Sequence, residues 1–208
     1  MLPTVIAILV GAALLALSVY AGARRRRRFD ARAAVALRAG WRTMPVDPAL
    51  AEAGNRIFAP GAAEHQVGAD GFQAVDFTYS ASRTSTAAKC HLVSIRLPAP
   101  LPPLAVVADN PIARGLGVPD LELESAEFNE AFWVNCEDAR YASAVLQPRL
   151  MEWMLAHRSL QWRIEGSLLV TWGPGHWTVG GVTSAVVGLN GVRDRIPAFV
   201  LADYRVNG

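Results

Sequence analysis

Phe72-Gln73-Ala74-Val75-Asp76-Phe77-Thr78-Tyr79 alternates with a period of two: Val75, Phe77 and Tyr79 on one side, Phe72, Ala74, Asp76 and Thr78 on the other. That period predicts a strand with one strongly apolar face. A Ser- and Thr-rich loop at 80–86 leads to a second strand from Lys89 to Leu97, so the pair reads as an antiparallel hairpin. Pro98 to Pro103 then interrupt the sheet, and Leu104–Ala108, Asp120–Glu124 and Ala131–Asn135 read as further short strands.

Helical spacing takes over at 138. Asp138 reads as an N-cap, with Tyr141, Ala142, Val145, Leu146, Leu150, Trp153 and Met154 on one face, and Pro148 either kinks this helix or starts a new one. Residues 160–165 and 167–172 read as two strands turning at Gly166-Ser167, and 177–196 as a C-terminal helix weakened by its glycines. The order of strands, helix, hairpin and helix predicts an α+β domain over 71–208, an antiparallel sheet with helices packed on one face.

Upstream, residues 43–70 carry Pro45, Pro48 and Pro60 and read as a linker or irregular segment, with a short helix capped by Asp47. Residues 24–42 read as a basic juxtamembrane helix ending at Gly40, with Phe29, Ala33, Leu37 and Trp41 on its apolar line and Arg32 and Arg38 elsewhere.

Residues 1–23 contain no charged side chain, and Arg24, Arg25, Arg26, Arg27 and Arg28 follow at once. As a helix, Leu2–Ala23 rises roughly 33 Å, enough for a hydrocarbon core of about 30 Å. Each arginine costs about 2.5–3.5 kcal/mol at a bilayer centre, so the block predicts an N-terminus outside and a cytoplasmic domain on a single-pass plasma-membrane anchor. The competing reading is a cleaved secretory signal, but it lacks a basic leading region, and the arginines follow the Ala21-Gly22-Ala23 site. The five arginines are placed to meet lipid head groups. Ala7, Gly11, Ser18 and Gly22 share one helix face and offer a helix–helix contact, either to a membrane protein partner or to a second copy.

The formal charge is +2, yet without the five arginines 15 basic side chains face 18 acidic ones. The basic balance therefore belongs to the membrane junction, and nucleic acid is not an expected partner. Cys90 and Cys136 match no zinc or redox spacing and are expected as free thiols in a reducing compartment, whereas an external domain would make one disulfide between them plausible.

The blocks Arg96–Leu104 (RLPAPLPPL), Leu121–Phe132 (LELESAEFNEAF), Asp138–Ala142 (DARYA), Pro148–Trp153 (PRLMEW) and Ile164–Gly166 (IEG) occur in order. Together with the anchor they resemble an uncharacterised family of actinobacterial single-pass membrane-anchored proteins. The resemblance spans roughly 70–200 and implies a bacterial plasma-membrane protein. It brings no activity, cofactor or catalytic residue.

Chemistry is thinly marked. His65, His91, His157 and His176 lie at no metal-binding spacing, and adjacent Cys90 and His91 point to opposite faces of a strand. Glu122, Glu124, Glu127, Glu130, Glu137 and Asp138 read as a solvated edge, and Phe128, Asn129, Phe132 and Trp133 as a core anchor. No phosphate loop or nucleophile elbow is present, so no catalytic, cofactor or metal residue is assigned. The expected function is a membrane-tethered binding or assembly module, with partner contact through the small-residue stripe or a groove beside Trp153 and Trp162. The alternative is a membrane-anchored hydrolase or transferase whose site is assembled from dispersed residues.

Overall fold

A computed structural model describes residues 2–80, 82, 85–108 and 121–205, with side chains from Gly11 onward except those of Ala12, Leu14, Tyr204 and Arg205. The elements run α1 (Leu2–Arg38), β1 (Arg42–Thr43), α2 (Pro48–Ile57), β2 (Gly61–Ala69), β3 (Phe72–Tyr79), β4 (Ala88–Ala108), α3 (Ala126–Ala131), β5 (Phe132–Asn135), α4 (Ala139–Val145), α5 (Pro148–Leu155), β6 (Trp162–Pro174), α6 (Val179–Arg193) and α7 (Ala198–Arg205). The architecture is α+β, built on an antiparallel six-stranded sheet among the described residues.

The β3–β4 hairpin forms as expected, with Phe72 opposite Ile95 and Tyr79 opposite Ala88. Over residues 43–70, expected as a linker or irregular segment, the short helix expected after Asp47 forms as α2, but β2 and the end of β1 join the same sheet and core. The local cause is Asp70-Gly71, a two-residue connection between β2 and β3 with Gly71 at φ +93°, the dipeptide that suits tight hairpins.

β4 runs unbroken through Pro98, Pro100, Pro102 and Pro103, where the sequence predicts an interruption. One edge of β4 pairs with β3 over 88–95 and with β5 over 105–108. Between them lies a stretch whose partner is β6, and there the register shifts at Arg96/Leu101 and Leu101/Leu104. Proline is tolerated where ladder N–H groups have no acceptor to meet, at an open edge or a bulge. In place of the hairpin expected over 160–172 about Gly166 stands the single strand β6 (Trp162–Pro174), which pairs with β4 from Cys90 to Val106. Gly166, at φ +57°, faces Leu101 inside that irregular stretch, so its left-handed backbone makes a bulge and not a reversal.

The short strand expected at Asp120–Glu124 is absent over the described 121–124, and Asp120 lies outside the described residues. Leu121 N donates to Val134 O, and Asn129 secures Leu123 by Oδ1 accepting from its N–H (3.0 Å) and Nδ2 donating to its carbonyl (2.8 Å). Phe128, Phe132 and Trp133 are buried as expected. Asp138 caps α4, and Pro148 opens α5 in place of kinking one helix.

Helices cover both faces of the sheet, not one. Strand parity puts Ala74, Val93, Ile95 and Leu169 in the larger core with α1 and α4–α7, and Val75, Phe77, Leu92 and Val170 in a second core under Leu50 and Ala53 of α2. In α6, Gly191 lets Trp153 approach so closely that a Cβ there would lie 2.3 Å from its Cζ2, which explains a glycine inside this helix.

α1 ends as expected. Gly40 adopts φ +81°, Gly40 N donates to Leu37 O and Trp41 N donates to Ala36 O, the paired bonds of a Schellman cap. The inward line, however, is Phe29, Arg32 and Ala36, while Leu37 is exposed. Among the described residues no helix is long and apolar enough to cross a membrane.

Candidate functional site

Four segments distant in sequence converge where α1 meets the sheet: Phe29 and Arg32 of α1, His65 of β2, Asp76 of β3, and His176-Trp177 before α6. Asp76 lies on the face of β3 that points toward α1, and its side chain is only 7% exposed. A carboxylate so placed needs hydrogen-bond donors around it. Arg32 Nη1 donates to Oδ1 (3.2 Å) and Nη2 to Oδ2 (2.6 Å), Trp177 N donates to Oδ1 (3.0 Å), and His176 Nδ1 lies 3.0 Å from Oδ2. His65 Nδ1 lies 3.5 Å from the same Oδ2.

Arg32 is held as firmly as the group it holds. Its Nη1 also donates to Trp177 O at 2.9 Å, and its Cζ stands 4.5 Å over the Trp177 ring. Trp177 is fully buried, and its Nε1 donates to His65 O at 2.8 Å.

His65 owes its position to a bulge. Glu64 pairs with Asp76 and Val67 with Ala74, so β2 carries one residue more than β3 across this interval. His65 takes up the surplus at φ +59°, alone among the described non-glycine residues in having a positive φ. Its ring stacks on Phe29 with centroids 4.2 Å apart. The next residue, Gln66, turns inward, and its Oε1 accepts from Asp47 N, joining the bulge to the start of α2.

Above this cluster opens a cleft of about 310 Å³. Arg24, Arg25, Arg28 and Arg32 line its α1 wall, and His65, Lys89 and His176 line the wall opposite. At 100° per residue the four arginines fall within a 100° arc, so the cleft takes a single face of the helix. Leu17, Tyr20 and Ala21 continue that face at the end nearer the N-terminus. Arg26 lines a shallower groove on the other flank, which it shares with Asp30 and Glu64, and Arg27 lines neither.

The other candidates are scattered. Cys90 is buried against the second core, its Sγ 3.6 Å from Phe77 O, and burial pushes its thiol up to about 12, with the Asp76 charge adding to the shift. His91 points to the opposite face, its ring against Gly173 and Nδ1 3.3 Å from Gly175 O. His157 stacks on Trp153 with Nδ1 2.7 Å from that residue's carbonyl. Cys136 is also unpaired, and burial raises its thiol. All six residues of the acidic stretch are exposed, with Asp138 engaged as a cap and Glu127 bonded to Arg158 at 2.7 Å. Where a groove was expected, Trp162 is fully buried with Nε1 on Met154 Sδ, and Trp153 packs against Gly191 with Arg195 over its ring.

Of the small-residue stripe, Ala7 lies outside the described side chains, and a Cβ at Gly11 or Gly22 would meet nothing within 4 Å. Ser18 Oγ bonds back to Leu15 O at 2.7 Å. Among the described residues no group of three or more His, Cys, Asp or Glu is arranged to hold a metal. Asp76 is already occupied by Arg32 and Trp177 N. The sequence reading missed Asp76, Arg32, His65 and His176 as a group. The one available signal was Asp76, the single charged residue of the strand Phe72–Tyr79. No family model, curated protein or solved structure matches the chain.

Proposed function

We propose that the protein is a membrane-tethered binding module, with α1 as its anchor, its N-terminus outside and its domain at the cytoplasmic face. The observation that carries this reading is the exposure of α1 before the arginines. Leu15, Leu17, Val19 and Tyr20 are each 63–68% exposed, and the same unbroken helix is then clamped to the sheet through Arg32. Such a row of large apolar side chains in water is a strong call for cover, and the apolar run upstream in the sequence is long enough to take that cover from lipid. The arginine block favours the cytoplasmic side.

The test is made on the full chain in bacterial cells. It should remain in the membrane pellet after alkaline carbonate washing, and Ser85→Cys should resist an impermeant maleimide until the cells are opened. Release by carbonate would overturn the anchor, and labelling of intact cells would overturn its direction.

A membrane-anchored hydrolase is the second reading, favoured by His65 and His176 both turning Nδ1 to Asp76. That contact fixes an imidazole's tautomer and leaves Nε2 as a base toward a bound water. Hydrolysis of a chromogenic phosphodiester or carboxyl ester by the full chain, lost in His176→Ala, would support it. An inactive wild-type chain would remove it.

A further inference from the structure

We propose that the cleft between α1 and the sheet is a phosphate-binding site, and that its occupant is the phosphate of an anionic phospholipid. The first argument is charge. Arg24, Arg25, Arg28 and Lys89 have no carboxylate partner among the described residues, although all four line one cleft of about 310 Å³. The carboxylate beneath them, Asp76, is taken up by Arg32, Trp177 N and the two histidines. Four like charges gathered in a cleft that no carboxylate lines repel one another, and an anion placed among them removes that repulsion. By contrast, the groove on the other flank of α1 already holds Asp30 and Glu64 beside Arg25 and Arg26 and has no such excess.

The second argument is ligand chemistry. Three guanidinium forks and an ammonium group suit an oxyanion with several acceptor oxygens, which arginine meets two at a time. The volume equals about ten waters at about 30 Å³ each, room for a phosphate with a small esterified group attached.

The third argument selects the source. Leu17, Tyr20 and Ala21 extend the cleft along the same helix face into the apolar run. A soluble phosphate ester gains nothing from that wall. A phospholipid places its phosphate among the arginines and its glycerol and chains against Leu17 and Tyr20, at the depth where tyrosine commonly lies. This choice of source rests on the membrane reading above; the phosphate chemistry does not.

The test uses the full chain in neutral detergent, with retained lipid counted by native mass spectrometry. Wild type should hold one phosphatidylglycerol in preference to phosphatidylcholine. Arg28→Gln with Lys89→Gln, both exposed positions, should weaken phosphatidylglycerol binding at least about tenfold. Arg26→Gln with Arg27→Gln removes the same charge outside the cleft and should change binding less than about twofold. Equal losses in the two variants would show diffuse attraction and overturn the site. Glycerol 3-phosphate binding as tightly as phosphatidylglycerol, with the same sensitivity to the cleft variant, would overturn the lipid source and uphold the phosphate site. That last result, in a chain released by carbonate, would locate the failure in the membrane reading.

Discussion

Arg32 of α1 and Asp76 of β3, 44 residues apart, meet through two parallel hydrogen bonds of 3.2 and 2.6 Å. This pair converts a helix that emerges from the domain into a rigid extension of the sheet. Whatever α1 binds along its arginine face is thereby held at a set distance from His65, His176 and Lys89.

Asp76→Asn should cost about 3–5 kcal/mol in denaturant unfolding, because it strips the counter-charge from a largely buried guanidinium. Arg32→Lys keeps the charge but loses the fork and the flat contact with Trp177, and should cost less, about 1–2 kcal/mol. A double-mutant cycle between the two positions should give strong coupling. Additive losses would show that the pair does not hold α1.

His65→Gly and His65→Val should separate the two consequences of the bulge. Glycine adopts φ +59° without penalty and recovers about 1 kcal/mol of backbone cost while losing the stack on Phe29, so its stability should stay within about 1 kcal/mol of wild type. Valine loses the stack and adds β-branched crowding at a positive φ, and its melting temperature should fall well below that of the glycine variant. Equal melting temperatures would argue that the strand relaxes its bulge.

Cys90 should resist thiol reagents in the folded chain at pH 8 and react at once in denaturant. Its thiol is raised to about 12 by burial, against an ordinary value near 9, so the folded state holds the proton to higher pH than the unfolded state does. The stability linked to this group is complete below pH 9 and is lost as pH rises toward about 12. Thiol titration of the native chain against the denatured chain measures the window directly.

Gly191→Ala and Gly11→Ala should differ sharply although both are helical glycines. At 191 the new Cβ would overlap the Trp153 ring, costing about 1–3 kcal/mol through repacking. At 11 it meets nothing, so unfolding should be unchanged and any effect should appear in self-association of the intact chain in detergent. A loss of stability at 11 would mean that α1 packs against this domain there.

The elements legible in the sequence are those set by their own neighbours. Asp47-Pro48, Asp138 and Pro148 start helices because a cap or a proline acts within one turn. The β3–β4 hairpin was legible from a period of two on either side of a polar loop. Gly166 was misread because one local property, a positive φ, serves a turn and a bulge alike. The choice between them is made by β4, whose long edge captures the whole of β6. The prolines of 98–103 were misread for the same reason, since their tolerance depends on which edge of β4 lacks a partner.

The sequence by itself determined the order of chemistry along α1, an apolar run ending in five arginines, because helical reach and the cost of charge in lipid depend only on local composition. Tertiary structure decided that Arg24, Arg25, Arg28 and Arg32 share one cleft, that Arg32 turns inward to Asp76, and that His65 and His176 meet at the same carboxylate. Contacts between residues 44 and 100 positions apart are fixed by sheet register and by the burial of a charge that only distant donors can satisfy, and neither leaves a local period in the chain.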